Sequence, residues 1–197
     1  MENKILNVKD LINAGLFSVL ILFFTFVCGM VAHSPVTMPF LPFLIGVVTG
    51  PVYMLYSTKI TKPGMIIIQQ FVLGLVFLAT GHGIFVIGTL MICAIIAEFV
   101  IRKDNYTNLN AKRIAFSITP MGVIGNFVPL LISRDKVYQR LVMHRGVEFA
   151  NKFMNAMSYK VIVPCILLAS VGGFIGCTIG IHLLKKHFVK AGMLKEK

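Results

Sequence analysis

LINAGLFSVLILFFTFVCGMVA (11–32) decides the fold class. No Asp, Glu, Lys or Arg interrupts it. A helix rises about 1.5 Å per residue, so about twenty residues cross the roughly 30 Å hydrocarbon core of a bilayer. The stretch follows Lys4, Lys9 and Asp10 and lacks an A-x-A-type end, so it reads as a retained span and not as a cleaved signal peptide.

Working outward, five more apolar stretches lie near 40–58, 64–80, 84–101, 114–132 and 161–184, the third at the short end. Lipid-facing backbone must satisfy its own hydrogen bonds, which selects helices. The alternating polarity of a β-barrel is missing. The expectation is an all-α membrane protein of six transmembrane helices, one membrane domain over 1–197. Composition agrees: 57% of the 197 residues are hydrophobic and 13% charged, against about 25% charged in soluble domains. That excludes an ordinary soluble enzyme, a disordered chain and a disulfide-rich secreted scaffold.

The formal net charge is +12. In this setting it reads as loop and headgroup charge, with no nucleic-acid partner. With the N-terminus inside, Arg134, Lys136, Arg140, Arg145, Lys152 and Lys160 are the outside basic residues, all in the 133–160 loop; the other thirteen of the 19 lie inside. Both termini are therefore expected in the cytoplasm. Cys28, Cys93, Cys165 and Cys177 all lie in apolar runs and form no C-x-x-C pair. They read as packing residues.

The 133–160 loop places Val137, Leu141, Phe149 and Phe153 among charged residues at roughly helical spacing. This predicts a helix or two lying over the outer face, either as an interfacial element or as a lid. Small residues recur four apart: Ala14 and Ser18, Gly46 and Gly50, and Gly172, Gly176 and Gly180. Each set makes a smooth stripe that another helix can approach closely. The last set is expected to pack within the bundle.

No G-x-x-x-x-G-K-[ST], G-x-S-x-G or H-E-x-x-H occurs, so the chain is not expected to be an enzyme or to cradle ATP. Glu98 is an acid within a span, one turn before Arg102, and an i,i+4 ion pair is its economical reading. The outer level collects more varied chemistry: His33, Ser34 and Thr37; Thr80 and His82 in T-G-H-G; Asn126; Arg134; and Tyr138, Met143 and His144. A few polar groups converging on an apolar cavity are how small-ligand sites look. A membrane enzyme using Glu98 or His82, or an assembly subunit working through its glycine stripes, stands as the alternative.

NVKDLINAGLF (7–17), MPFLPFLIGVVTGPVYML (38–55), ATGHGIF (79–85), GNFVPLLISRD (125–135) and LKKHFVKAGM (184–193) resemble the MptD-type, or Trep_Strep, substrate-binding S components of energy-coupling factor (ECF) ABC transporters. The resemblance implies a six-helix S component in the bacterial plasma membrane. It captures a scarce nutrient outside and delivers it inward with a transmembrane coupling subunit and two cytoplasmic ATPases that use ATP. It also implies that Ala14 and Ser18 face the coupling subunit. His33, His82, Thr80, Asn126, Arg134, Tyr138 and His144 are the expected substrate-binding residues. Haem or another tetrapyrrole is one cargo the resemblance admits, with His33, His82, Met143 or His144 as iron ligands and outer arginines for the propionates. A vitamin-like nutrient is the other. No resident metal or cofactor is signalled.

Overall fold

The computed structural model describes residues 6–32 and 34–186. Among these there are helices and turns and no strands. The helices are α1 (Val8–Val31), α2 (Leu41–Ser57), α3 (Met65–Ala79), α4 (Ile84–Arg102), α5 (Leu109–Ile118), α6 (Val128–Ile132), α7 (Arg134–Arg145), α8 (Val147–Ala156) and α9 (Tyr159–Leu184). A 3-10 turn, Met38–Phe40, leads into α2, and a longer 3-10 segment, Thr119–Phe127, joins α5 to α6.

Among the described residues five segments are long and apolar enough to cross a membrane: Val8–Val31, Met38–Ser57, Ile84–Arg102, Leu109–Ile132 and Tyr159–Leu184. The third expected span, α3, is shorter, with 15 residues. Its ends explain why. Gly64, at φ 89°, starts it, and Gly81, at φ 88°, stops it. The fifth span is not the single helix its hydropathy suggests. Pro120 and Pro129 remove backbone donors, and Gly122 and Gly125 let the 3-10 segment press onto α4, where Thr89 donates to the Gly122 carbonyl at 2.6 Å.

α1 opens with a capping box: Asn7 Oδ1 accepts from the Asp10 amide (3.0 Å), and Asp10 Oδ2 accepts from the Asn7 amide (2.9 Å). The same carboxylate pairs with Lys62 at 2.7 Å. This ties the start of α1 to the α2–α3 turn. Lys112 Nζ reaches the Ser57 carbonyl, and Ser57, Lys112 and Leu184 share one cavity wall. The start of α1 and the end of α9 thus lie at one end of the bundle.

The glycine stripes of α2 and α9 meet each other. A Cβ at Gly46 would stand 2.4 Å from the Gly173 nitrogen, and one at Gly176 would stand 2.5 Å from the Gly46 and Val47 carbonyl oxygens. The two backbones touch directly, which only glycine permits here. The Gly172, Gly176 and Gly180 stripe of α9 thus packs within the bundle, as its spacing predicts.

Ala14 and Ser18 are not a free surface. They are 1% and 2% exposed, and Ser18 Oγ lies 2.7 Å from the Ala14 carbonyl of its own helix and 3.0 Å from the Gln69 carbonyl of α3. Their smallness serves packing of α1 on α3, so their assignment to a coupling-subunit surface is corrected. The expected Glu98–Arg102 ion pair is also replaced. Glu98 Oε1 accepts from the Gly64 amide (2.9 Å) and the Tyr106 hydroxyl (2.6 Å). Asn105 (φ 47°) and Tyr106 (φ 63°) turn left-handed after α4 and fold the phenol back over the carboxylate. All four cysteines are buried and free.

Candidate functional site

α7 and α8 form a hairpin hinged at Gly146 (φ 85°). It lies across the end of the bundle opposite the α1 start, as the amphipathic reading of 133–160 anticipates. Val137, Leu141 and Phe149 pack on the cluster built from Ile124, Phe127, Leu130, Phe153, Met157 and Ile162. Beneath the hairpin is a cavity of about 230 Å³. Met38 and Pro42 wall it from the α2 side, Val123 and Phe127 from the 3-10 segment, and Val137 and Phe153 from the hairpin. His82 and Asn126 are its polar lining residues.

T-G-H-G is first a helix stop. The Gly81 amide donates to the Leu78 carbonyl (3.1 Å) and the His82 amide to the Phe77 carbonyl (2.9 Å). With Gly81 left-handed, this is a Schellman motif. It fixes the His82 ring edge-on to Phe77, with centroids 4.8 Å apart. Thr80 Oγ1 lies 2.9 Å from the Val76 carbonyl and 3.2 Å from His82 Nδ1. The hydroxyl has one proton, which the carbonyl takes, so His82 Nδ1 is assigned as the donor to Thr80. Nε2 is then the bare acceptor. Burial lowers the His82 pKa below its ordinary 6.5, which favours the neutral ring. Asn126 Nδ2 donates to the Val123 carbonyl at 3.0 Å, leaving its carbonyl oxygen as an acceptor.

The other described site candidates do not line the cavity. Thr80 is exposed and touches His82 Nδ1 without lining the cavity. Arg134 donates to the Met157 carbonyl at 2.9 Å and to the Met154 carbonyl, and its guanidinium stacks on Tyr159 at 5.2 Å. It caps the end of α8 with two of its five N–H donors and is not among the residues lining the cavity. Tyr138 bonds Asn151 at 3.1 Å, fastening α7 to α8. Met143 and His144 are exposed near the end of α7 and do not line the cavity. His33 lies outside the described residues. Of the described ligand candidates for iron, His82 alone lines the cavity; Met38, outside that set, also lines it. Met38 and Pro42 sit in the M-P-F-L-P run, whose prolines mark the turn into α2 and were the available signal.

The arrangement is a small, mostly apolar chamber with two fixed polar groups and an amphipathic roof. It can enclose a small organic molecule and orient it by hydrogen bonds. No curated protein and no solved structure matches the chain. Residues 8–190 match Trep_Strep, described as a hypothetical bacterial integral membrane protein, and this multi-pass helical chain belongs to that family.

Proposed function

We propose that the chain is the substrate-capturing S component of an ECF importer and that it binds a small nutrient in the chamber under the α7–α8 hairpin. The observation that carries this is the convergence of His82 and Asn126 on a cavity otherwise lined by apolar side chains. The ATPase step belongs to partner subunits, a coupling subunit linking them to this chain, which is itself non-catalytic. In this reading α3 is the sixth traverse. Its 15 residues give about 22 Å of helix, and its capping turns make up the remaining depth. Both termini are cytoplasmic, because thirteen of the 19 basic residues then lie inside, and the chamber faces outward at the bacterial plasma membrane. With Ala14 and Ser18 buried, the coupling subunit meets the exposed face of α1, where Ile12, Leu16 and Val19 lie.

The chamber favours the smaller cargo. Its volume of about 230 Å³ falls below the roughly 300–1,000 Å³ typical of sites for drug-sized ligands. A vitamin-sized molecule fits that space better than a tetrapyrrole, with His82 serving as a hydrogen-bonding group. The test begins with the chain purified in mild detergent from cells grown in rich medium. Visible absorbance is recorded, and any molecule released on denaturation is identified by mass spectrometry. A colourless protein releasing a stoichiometric small nutrient, with release lost in His82→Ala, is the expected result. Uptake by this chain without coupling subunit or ATPases would refute the proposal. A haem band lost in His82→Ala would keep the transporter reading and replace the cargo.

A further inference from the structure

A second cavity, of about 270 Å³, opens at the other end of the bundle. The end of α2, the start of α5 and the end of α9 enclose it, with Lys112 and Lys185 in its lining. Lys112 is only 8% exposed. Among the described residues no carboxylate pairs with it. Asp10 is engaged by Lys62; Glu98 accepts from Gly64 and Tyr106 through Oε1, and its buried Oε2 bonds neither Lys112 nor any other group among the described residues. The Lys112 ammonium donates to the Ser57 carbonyl at 2.7 Å. An ammonium has three donors, so that bond leaves two. A buried cation without a counter-charge is costly, and the carbonyl end of α2 offsets only part of the cost.

The other polar groups of the cavity do not compete for an anion. Thr58 and Thr107 direct their hydroxyl protons to the carbonyls of Leu55 (2.8 Å) and Asp104 (2.9 Å). Leu109, Ile181 and Leu184 supply apolar wall. Lys185 is exposed. A deep ammonium, a shallow ammonium and an apolar side match a charged head joined to a hydrocarbon tail. The cavity lies at the ends of the candidate spans Met38–Ser57, Leu109–Ile132 and Tyr159–Leu184, and basic pockets at such span ends bind anionic headgroups.

We propose that this cavity binds a phosphate-bearing anion through Lys112 and Lys185, supplied either by an anionic phospholipid headgroup or by free phosphate. The inference is independent of the transport reading.

The test uses the delipidated full chain in a zwitterionic detergent. Thermal unfolding is followed while short-chain phosphatidylglycerol, short-chain phosphatidylcholine or inorganic phosphate is titrated. Phosphatidylglycerol is expected to raise the melting temperature saturably and phosphatidylcholine to leave it unchanged. Lys185→Gln, an exposed position, is expected to weaken the apparent affinity about tenfold. Lys112→Gln keeps a donor for Ser57 and is expected to abolish the response. Stabilisation by inorganic phosphate, lost in the same variants, would support the site and identify free phosphate as its ligand. If neither probe stabilises the wild type, or Lys185→Gln responds as the wild type does, the proposal is overturned.

Discussion

Replacing Gly46 by alanine puts a methyl group where the structure has backbone. The new Cβ would lie 2.4 Å from the Gly173 nitrogen, 2.7 Å from the Ala169 oxygen and 2.8 Å from the Gly172 carbonyl carbon. Ordinary contact needs about 3.5 Å, so α2 and α9 must separate by about 1 Å. No side chain can swing aside, because all three obstacles are main chain. Overpacking of this kind costs about 1–3 kcal/mol, and rigid obstacles place it at the upper end. Alanine recovers about 0.5–1 kcal/mol of helix propensity, leaving a net loss of about 2 kcal/mol. At roughly 2–4 °C per kcal/mol for a chain of this size, the apparent melting temperature should fall by about 4–8 °C. Differential scanning fluorimetry in detergent measures it. Gly15→Ala is the control, since nothing lies within 4 Å of its added Cβ, and it should melt at or slightly above the wild type. Gly176→Ala opens the same interface from the other side, so the double variant should lose less than the sum of the two. If Gly46→Ala melted with Gly15→Ala, the direct backbone contact between α2 and α9 would be wrong.

Glu98→Ala strands the Gly64 amide and the Tyr106 hydroxyl and should cost about 2–4 kcal/mol, whereas Glu98→Gln keeps an acceptor and should cost less; chemical denaturation ranks them, and equal losses would argue that the charge matters more than the two bonds. Arg134→Gln frees the end of α8, so amide exchange over 146–157 should speed up by about tenfold or more while exchange in α4 holds; uniform acceleration would mean the hairpin does not open as a unit. The His82 pKa is lowered by burial, so the stability its neutral ring contributes is present above pH 6.5 and is lost as the pH falls through the depressed value. The wild-type melting temperature should therefore decline below pH 6.5 more steeply than that of His82→Gln, and parallel profiles would remove His82 as the titrating group. Ala14→Leu should lower the melting temperature itself, because the position is 1% exposed; a fully stable variant that fails only in partner assembly would restore the coupling-surface assignment.

The membrane class, the six apolar segments and the amphipathic 133–160 element are properties of local hydropathy, and each is legible residue by residue. Their boundaries agree with the helices to within a few residues in most cases, because apolar length and glycine or proline punctuation act locally. T-G-H-G likewise announces a helix stop at Gly81. Which small-residue stripe meets which helix is a different kind of fact. Ala14–Ser18 and Gly46–Gly50 carry the same four-residue spacing, yet the first is filled by α3 and the second by α9. Polar residues at one level diverge in the same way. His82 and Asn126 reach the chamber, while Arg134 turns to the carbonyls ending α8 and Tyr138 to Asn151. Periodicity assigns a residue to a helix and a depth, but partners come from packing between segments distant in the chain. Glu98 shows the reason most plainly: its neighbour in sequence is Arg102, but the left-handed turn at Asn105 and Tyr106 and the glycine start of α3 bring it two donors that no local pattern encodes.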